Sequence, residues 1–269
     1  MLISFNGHSY KTVYLDTNAI REISTNMQSA SRFFREQMIN NEAYAICFSI
    51  YNLIELKGQG EKFIHFCDFF DNWPVLLFHH ISEFYKQEHA AAEAGETFRL
   101  EQRSLITPFI PSFVRGKHGD SLKEALIGDD FKPIYDSIPV LIKEYKEIAI
   151  EWQGQRIGRM ISDNEYFKEY EGPSILKSVT DFCGAPDIGN IDINAYPSQR
   201  VGLYSQFCRV HKLRRSLEVN DVIDVMLSGY AAFVDVIITE AFQANVFRVL
   251  QGRLPSLRSL EVLRLSDIR

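Results

Sequence analysis

The chain has no CxxC pair and no Cys/His spacing; its four cysteines, Cys47, Cys67, Cys183 and Cys208, are scattered. Neither a zinc site nor a disulfide framework is indicated, and reduced, partly buried thiols are expected. Positive charge is not in excess either. A net charge of -6, from 29 Lys and Arg against 35 Asp and Glu, exerts no global pull on nucleic acid, so any contact with phosphates must be local. No run is long enough to cross a bilayer, and the opening MLISFNGHSYK lacks a basic segment followed by an apolar core and a cleavage site. No membrane association and a cytoplasmic location are therefore expected. There is no GxSxG, P-loop or dinucleotide fingerprint, no internal repeat and no low-complexity segment.

What the sequence does have is apolar material in a regular rhythm. With 46% hydrophobic residues in 269, it can bury a substantial core, and its length allows two domains or one domain with a large insertion. Val13 to Leu15 reads as a buried strand, followed by a helix from Asn18 to about Asn40. Tyr44 to Phe48 reads as a second strand, with Ser49 as N-cap of a helix that stops before Gly58. A helix at Glu61 to Phe70 and a strand at Val75 to Phe78 complete a βαβα rhythm, which favours a parallel sheet covered by helices.

The rhythm stops at Ile81, and the patterns to about Ser216 are mostly helical, with Pro- and Gly-rich loops between them. It resumes with a helix from about Asp221 to Phe233, a strand at Val234 to Thr239, a helix to about Leu250 and a last strand at Glu261 to Leu265. The expected fold class is α/β, a three-layer arrangement with a central parallel sheet flanked by helices. Residues 1–80 and 217–269 would form two parts of one layer, and 81–216 a large, mainly helical insertion or cap.

Ligands of an open parallel sheet bind outside the carboxyl ends of its strands. Asp16 ends the first strand and Glu240 follows Thr239 at the end of another, so both reach one edge of the sheet. Glu55 lies late in the helix after the second strand, and Asp221 and Asp224, three apart, share one helical face. Gathered carboxylates repel and raise one another's pKa, a penalty that a divalent cation removes. Mg²⁺ or Mn²⁺ prefers oxygen ligands and is commonly held by a few carboxylates plus substrate phosphates. Water activated there could attack a phosphodiester in line. Taken singly, Asp16 is a good helix cap, Glu55 a solvated charge beside Lys57, and Asp221 a first-turn residue favoured by the helix dipole.

The segments VYLDTNAI, SIYNLIE and NDVIDVMLSGYAAFVDVIITE, in that order and each beside an expected strand, resemble the motifs of the PIN-domain nucleases. The resemblance covers the two end segments and leaves the middle unmatched. It implies a parallel sheet flanked by helices, an acidic site for Mg²⁺ or Mn²⁺, and endonucleolytic cleavage of single-stranded or structured RNA, as a toxin or an RNA-processing enzyme. The matching positions are Asp16, Glu55, Asp221 or Asp224, and Glu240, of which the first four would hold the metal. Thr17, Asn18 and Thr239 would support them, Asn18 by hydrogen bonding to the carboxylate or the substrate. The last motif departs from the family, where an Asp commonly follows Thr after one spacer residue: here Glu240 follows Thr239 directly and Ala241 fills the spaced position.

Just ahead of the third motif, RVHKLRRSLEVND carries Arg209, His211, Lys212, Arg214 and Arg215, either a solvated face or a phosphate-binding rim. The expected partners are an RNA substrate and a regulatory protein such as an antitoxin. Two other readings stay open. One is a catalytically degraded PIN-like scaffold that binds protein or nucleic acid. The other is a phosphatase of another α/β fold, which commonly needs a second Asp two residues after the first, where Asn18 stands.

Overall fold

The apolar runs form strands because they can be covered on both faces. The computed structural model describes residues 2–5, 8–33, 44–71, 73, 75–100, 105–109, 121–155, 161–184, 192–213 and 215–268. Strands β1 (Leu2–Phe5) and β2 (His8–Leu15) pair antiparallel. Helices α1 (Thr17–Thr25) and α2 (Met27–Phe33) lead to β3 (Tyr44–Ser49), then α3 (Ile50–Lys57), α4 (Glu61–Phe70) and β4 (Val75–Phe78). The middle contains α5 (Ile81–Glu93), β5 (Leu105–Phe109), α6 (Leu122–Ile127), α7 (Lys132–Gly154), α8 (Glu171–Cys183) and α9 (Pro197–Lys212). After it come α10 (Val219–Ser228), β6 (Val236–Thr239), α11 (Ala241–Gln251) and β7 (Glu261–Arg264).

The sheet runs in the order β5-β4-β3-β2-β6-β7, with β1 also on β2. Strands β2, β3, β4, β6 and β7 are parallel to one another, whereas β1 and β5 are antiparallel to their neighbours. Alternate side chains enter two separate cores, as the pleat requires. Val13, Leu15, Ile46, Phe48, Val236 and Ile238 pack with Ile20, Ile23, Phe66 and Phe70 on one face. Tyr14, Cys47, Leu76 and Ile237 pack with Tyr51, Tyr204, Val222 and Phe247 on the other. The result is a three-layer α/β fold. Phe48 meets Phe66 and Phe70 edge-on, with centroids 5.0 and 4.9 Å apart; a buried ring of this kind is worth about 3–5 kcal/mol relative to alanine.

Residues 81–216, expected as a helical insertion, are mainly helical among the described residues, add β5 to the sheet edge, and enter both cores. Tyr145, Trp152 and Tyr204 join one core, and Leu122, Leu126 and Phe131 the other. The expected helix from Asn18 to Asn40 is two helices: Asn26 ends α1, and its Oδ1 accepts from the backbone N–H of Gln28 (3.0 Å) and Ser29 (3.3 Å) to start α2. Residues 34–40 of that expectation lie outside the described residues. The expected helix through Phe233 is α10 followed by 3-10 turns at Gly229–Phe233, and the next strand begins at Val236 rather than Val234. Among the described residues no helix is long and apolar enough to cross a membrane.

Candidate active site

Strand order reverses between β2 and β6. The chain lays β3 and β4 on one side of β2, then returns after the middle segment to lay β6 and β7 on the other. A crevice opens at the carboxyl ends of strands where such a reversal occurs. Asp16 stands at this point, its backbone N–H donating to Ile238 O across the β2–β6 seam (3.1 Å). Its Oδ1 accepts from Ala19 N (2.7 Å), capping α1, and its Oδ2 accepts from Glu240 N (3.0 Å), the first residue past β6. The cap reading of Asp16 is therefore correct as far as one oxygen goes. Burial pushes this carboxyl up to about 6, against the hydrogen bonds that favour its charge, with Asp224 adding repulsion.

Glu55 reaches the same crevice through a chain of neutral groups. Ser49 ends β3, and its N–H is taken by Asn52 Oδ1 (2.9 Å), which turns the strand into α3. Asn52 is fully buried; its Nδ2 donates to Leu15 O (3.4 Å) and to Thr17 Oγ1 (3.1 Å), tying α3 to the end of β2. The Thr17 hydroxyl in turn donates to Glu55 Oε2. Burial pushes the Glu55 carboxyl up to about 7; Asp224 and Asp16 add to this, and Thr17 and Arg21 oppose it. Asn18 donates to Glu240 Oε1 (2.6 Å), so the exposed Glu240 closes the rim of this wall.

The facing wall is helical and holds its carboxylates differently. Asp221 accepts a two-pronged contact from Arg215, Nη1 to Oδ2 at 2.7 Å and Nη2 to Oδ1 at 2.8 Å. It also accepts from Glu218 N (2.9 Å), and Arg209 Nε lies 3.7 Å from its Oδ1. Two guanidinium groups thus neutralise a side chain that is 2% exposed. Asp224, one turn on and 46% exposed, takes a single charged hydrogen bond from Arg209 Nη2 (3.0 Å). Loss of water on the side turned into the cleft raises its pKa, opposed by Arg209 and assisted by Asp221 and Glu240.

Between the walls is a cavity of about 330 Å³ lined by Asp16, Thr17, Asn18, Glu55, Arg209, Arg215, Asp221, Asp224, Thr239 and Glu240. Every acidic candidate from the sequence is there, as are the three supporting residues. The basic segment divides. Arg209 and Arg215 line the cavity, whereas His211 packs on Phe207 and Lys212 pairs with Asp163 beside Tyr204, outside its lining. Arg214 lies outside the described residues. Arg21, Asn220, Phe242 and Gln243 also line it and were not among the sequence candidates. Arg21 follows Asn18 by one turn and donates to its Oδ1 (2.7 Å), and Gln243 follows Glu240 by the same spacing, so helical periodicity was the available signal.

All the acids offer oxygen, the donor that suits Mg²⁺ or Mn²⁺. The mutual repulsion of Asp16, Glu55 and Asp224 is what a divalent charge would relieve, so the residues fit such an ion. Among the described residues, however, no group of three or more His, Cys, Asp and Glu side chains stands ready-arranged to hold a metal. Hydrogen bonds from protein donors engage each of the three acids instead. No family model, curated protein or solved structure matches this chain.

Proposed function

We propose that the chain is a metal-dependent nuclease of PIN-like fold that hydrolyses RNA phosphodiester bonds in this cleft. The observation that carries the reading is the meeting of Asp16, Glu55 and Asp224, from three distant segments, in one cavity at the strand-order reversal. The resemblance of the three acidic motifs supports RNA as the substrate and Mg²⁺ or Mn²⁺ as the ion. A bound ion would supply charge neutralisation and Lewis acidity toward water and phosphate.

The chain's own groups have definable parts. Asp16, Glu55 and Asp224 would be the ion's ligands. Thr17 and Asn52 fix the Glu55 carboxylate from behind, and Ala19 and Glu240 fix that of Asp16 through backbone N–H groups. Arg215, oriented by Asp221, and Arg21, oriented by Asn18, supply positive charge for the substrate's phosphates. Asp221 itself serves as the holder of Arg215 rather than as a ligand, which separates it from Asp224.

The reading is tested by Asp16→Asn. Cleavage of single-stranded RNA in Mn²⁺ buffer should fall by about 100-fold or more, since the substitution removes an ion ligand, while circular dichroism stays unchanged. Undiminished cleavage by the folded variant would sink it. A second reading, a non-catalytic scaffold, draws on the absence of a ready-made ligand group among the described residues. Calorimetry separates the two, because tight Mn²⁺ uptake that Glu55→Gln abolishes is expected only of the nuclease.

A further inference from the structure

Arg209 is only 2% exposed, yet it is placed between two carboxylates and the cavity. A guanidinium buried to that extent needs partners for its five donors. Nη1 donates to Ser205 Oγ (2.8 Å) and Gln243 Oε1 (2.7 Å), both neutral and both buried. Its face lies over Phe242, 5.3 Å from the ring centroid. These contacts anchor it to α9 and α11. Nη2 donates to Asp224 Oδ2 (3.0 Å), and Nε has no hydrogen-bond partner among the described residues.

The two acids that Arg209 touches are not equivalent. Asp221 already has the two-pronged contact of Arg215 and the Glu218 N–H, so both its oxygens are engaged, and it is 2% exposed. Among the described residues Asp224 has Arg209 alone, and it is 46% exposed. The Asp224 contact is therefore the one that an incoming cation can take over, since like charges repel and both cations seek the same oxygen.

We propose that Arg209 is a positioning residue that holds Asp224 by charge until a divalent cation replaces it, and that the Nη2 donor so released then binds a phosphate oxygen. The inference rests on the nuclease reading of the cleft. Its physical basis is that a buried donor left unpaired is costly, so the arginine freed by the cation acquires a need for an anion. Cation and phosphate would then bind in that order, each preparing the place of the next.

Nitrogen-15 spectra of the wild-type protein follow the Arg209 Nε–H directly. Mg²⁺ should shift this resonance, and inorganic phosphate should shift it further only once Mg²⁺ is present. A resonance that ignores Mg²⁺, or that responds to phosphate equally without it, overturns the inference. Calorimetry supplies an independent sign: with a competing charge removed, Arg209→Gln should bind Mn²⁺ about tenfold more tightly, while Arg209→Lys, which keeps the charge, stays close to wild type. A merely structural arginine predicts weaker binding in the Gln variant, and equal or weaker binding by the folded variant overturns the proposal. If the wild-type protein takes up no Mn²⁺ at all, the nuclease reading falls and this inference with it. If it binds Mn²⁺ with Arg209 unaffected, the inference falls alone.

Discussion

On the strand side of the cleft, Asp16 and Glu55 take their hydrogen bonds from backbone N–H groups and a threonine hydroxyl. On the helical side, Asp221 and Asp224 take theirs largely from guanidinium groups. The first arrangement fixes a carboxylate in place without cancelling its charge; the second cancels the charge, fully at Asp221 and partly at Asp224. A carboxylate's partners, more than its place in a motif, therefore decide whether it is available to an ion.

The sharpest way to break this comparison is Asp221→Ala. It removes the acid shared by Arg209 and Arg215 and the acceptor of the Glu218 N–H at the start of α10; since Arg215 is 56% exposed and Arg209 keeps Asp224, the cost is that of lost charged hydrogen bonds, about 1–3 kcal/mol. Urea unfolding should show a loss of that size, in contrast to Asp16→Asn, where relief of repulsion offsets the loss of one accepted backbone hydrogen bond and the unfolding midpoint at pH 8 should fall by less. Equal destabilisation by the two would erase the distinction between the walls.

An intermediate effect is expected from pH. Folding raises Asp16 from 3.8 to about 6 and Glu55 from 4.5 to about 7. The folded state thus keeps protons that the unfolded chain gives up, and the stability these two groups confer is present in full below about pH 4 and is lost as the pH climbs through 6 and 7. In chelator, the wild-type unfolding midpoint should fall between pH 5 and pH 8 more than that of an Asp16→Asn, Glu55→Gln double variant, and Mn²⁺ should restore it at pH 8. Parallel profiles for the two proteins would contradict the assignment. The smallest change is Thr17→Val, which deletes the hydroxyl between Asn52 and Glu55 at nearly constant shape. A loss of about 1 kcal/mol is expected, together with a move of the cleavage pH profile to higher pH, because the Thr17 hydrogen bond favours the charged Glu55; an unmoved profile would show that Glu55 does not titrate in the reaction.

Much of this was legible before the structure. Apolar runs ending in Asp16, Ser49 and Thr239 gave the strand ends, and strand ends in a parallel sheet gave the edge on which a site would form. The choice between Asp221 and Asp224 was not legible, because spacing places both on one face and only the arginines distinguish them. Those arginines could not be sorted as a charge run either. Along a helix, His211 is turned about 200° from Arg209, so neighbours in sequence face different surroundings. Strand β1 and the antiparallel β5 were missed because pairing, rather than local apolar rhythm, defines them. Arg21 and Gln243 went unread for want of a motif, although each lies one helical turn from a residue that had one.

The seam between β2 and β6 joins residues 223 positions apart, as Thr12 and Asp235 show. Closing so large a loop costs only modestly more than closing a short one, but it retards folding. During synthesis Asp16 must therefore wait, without a facing wall, until α10 and β6 have been made and docked. The cleft is thus a late product of synthesis: its first acid is made within the opening 16 residues, and its facing wall only after residue 219.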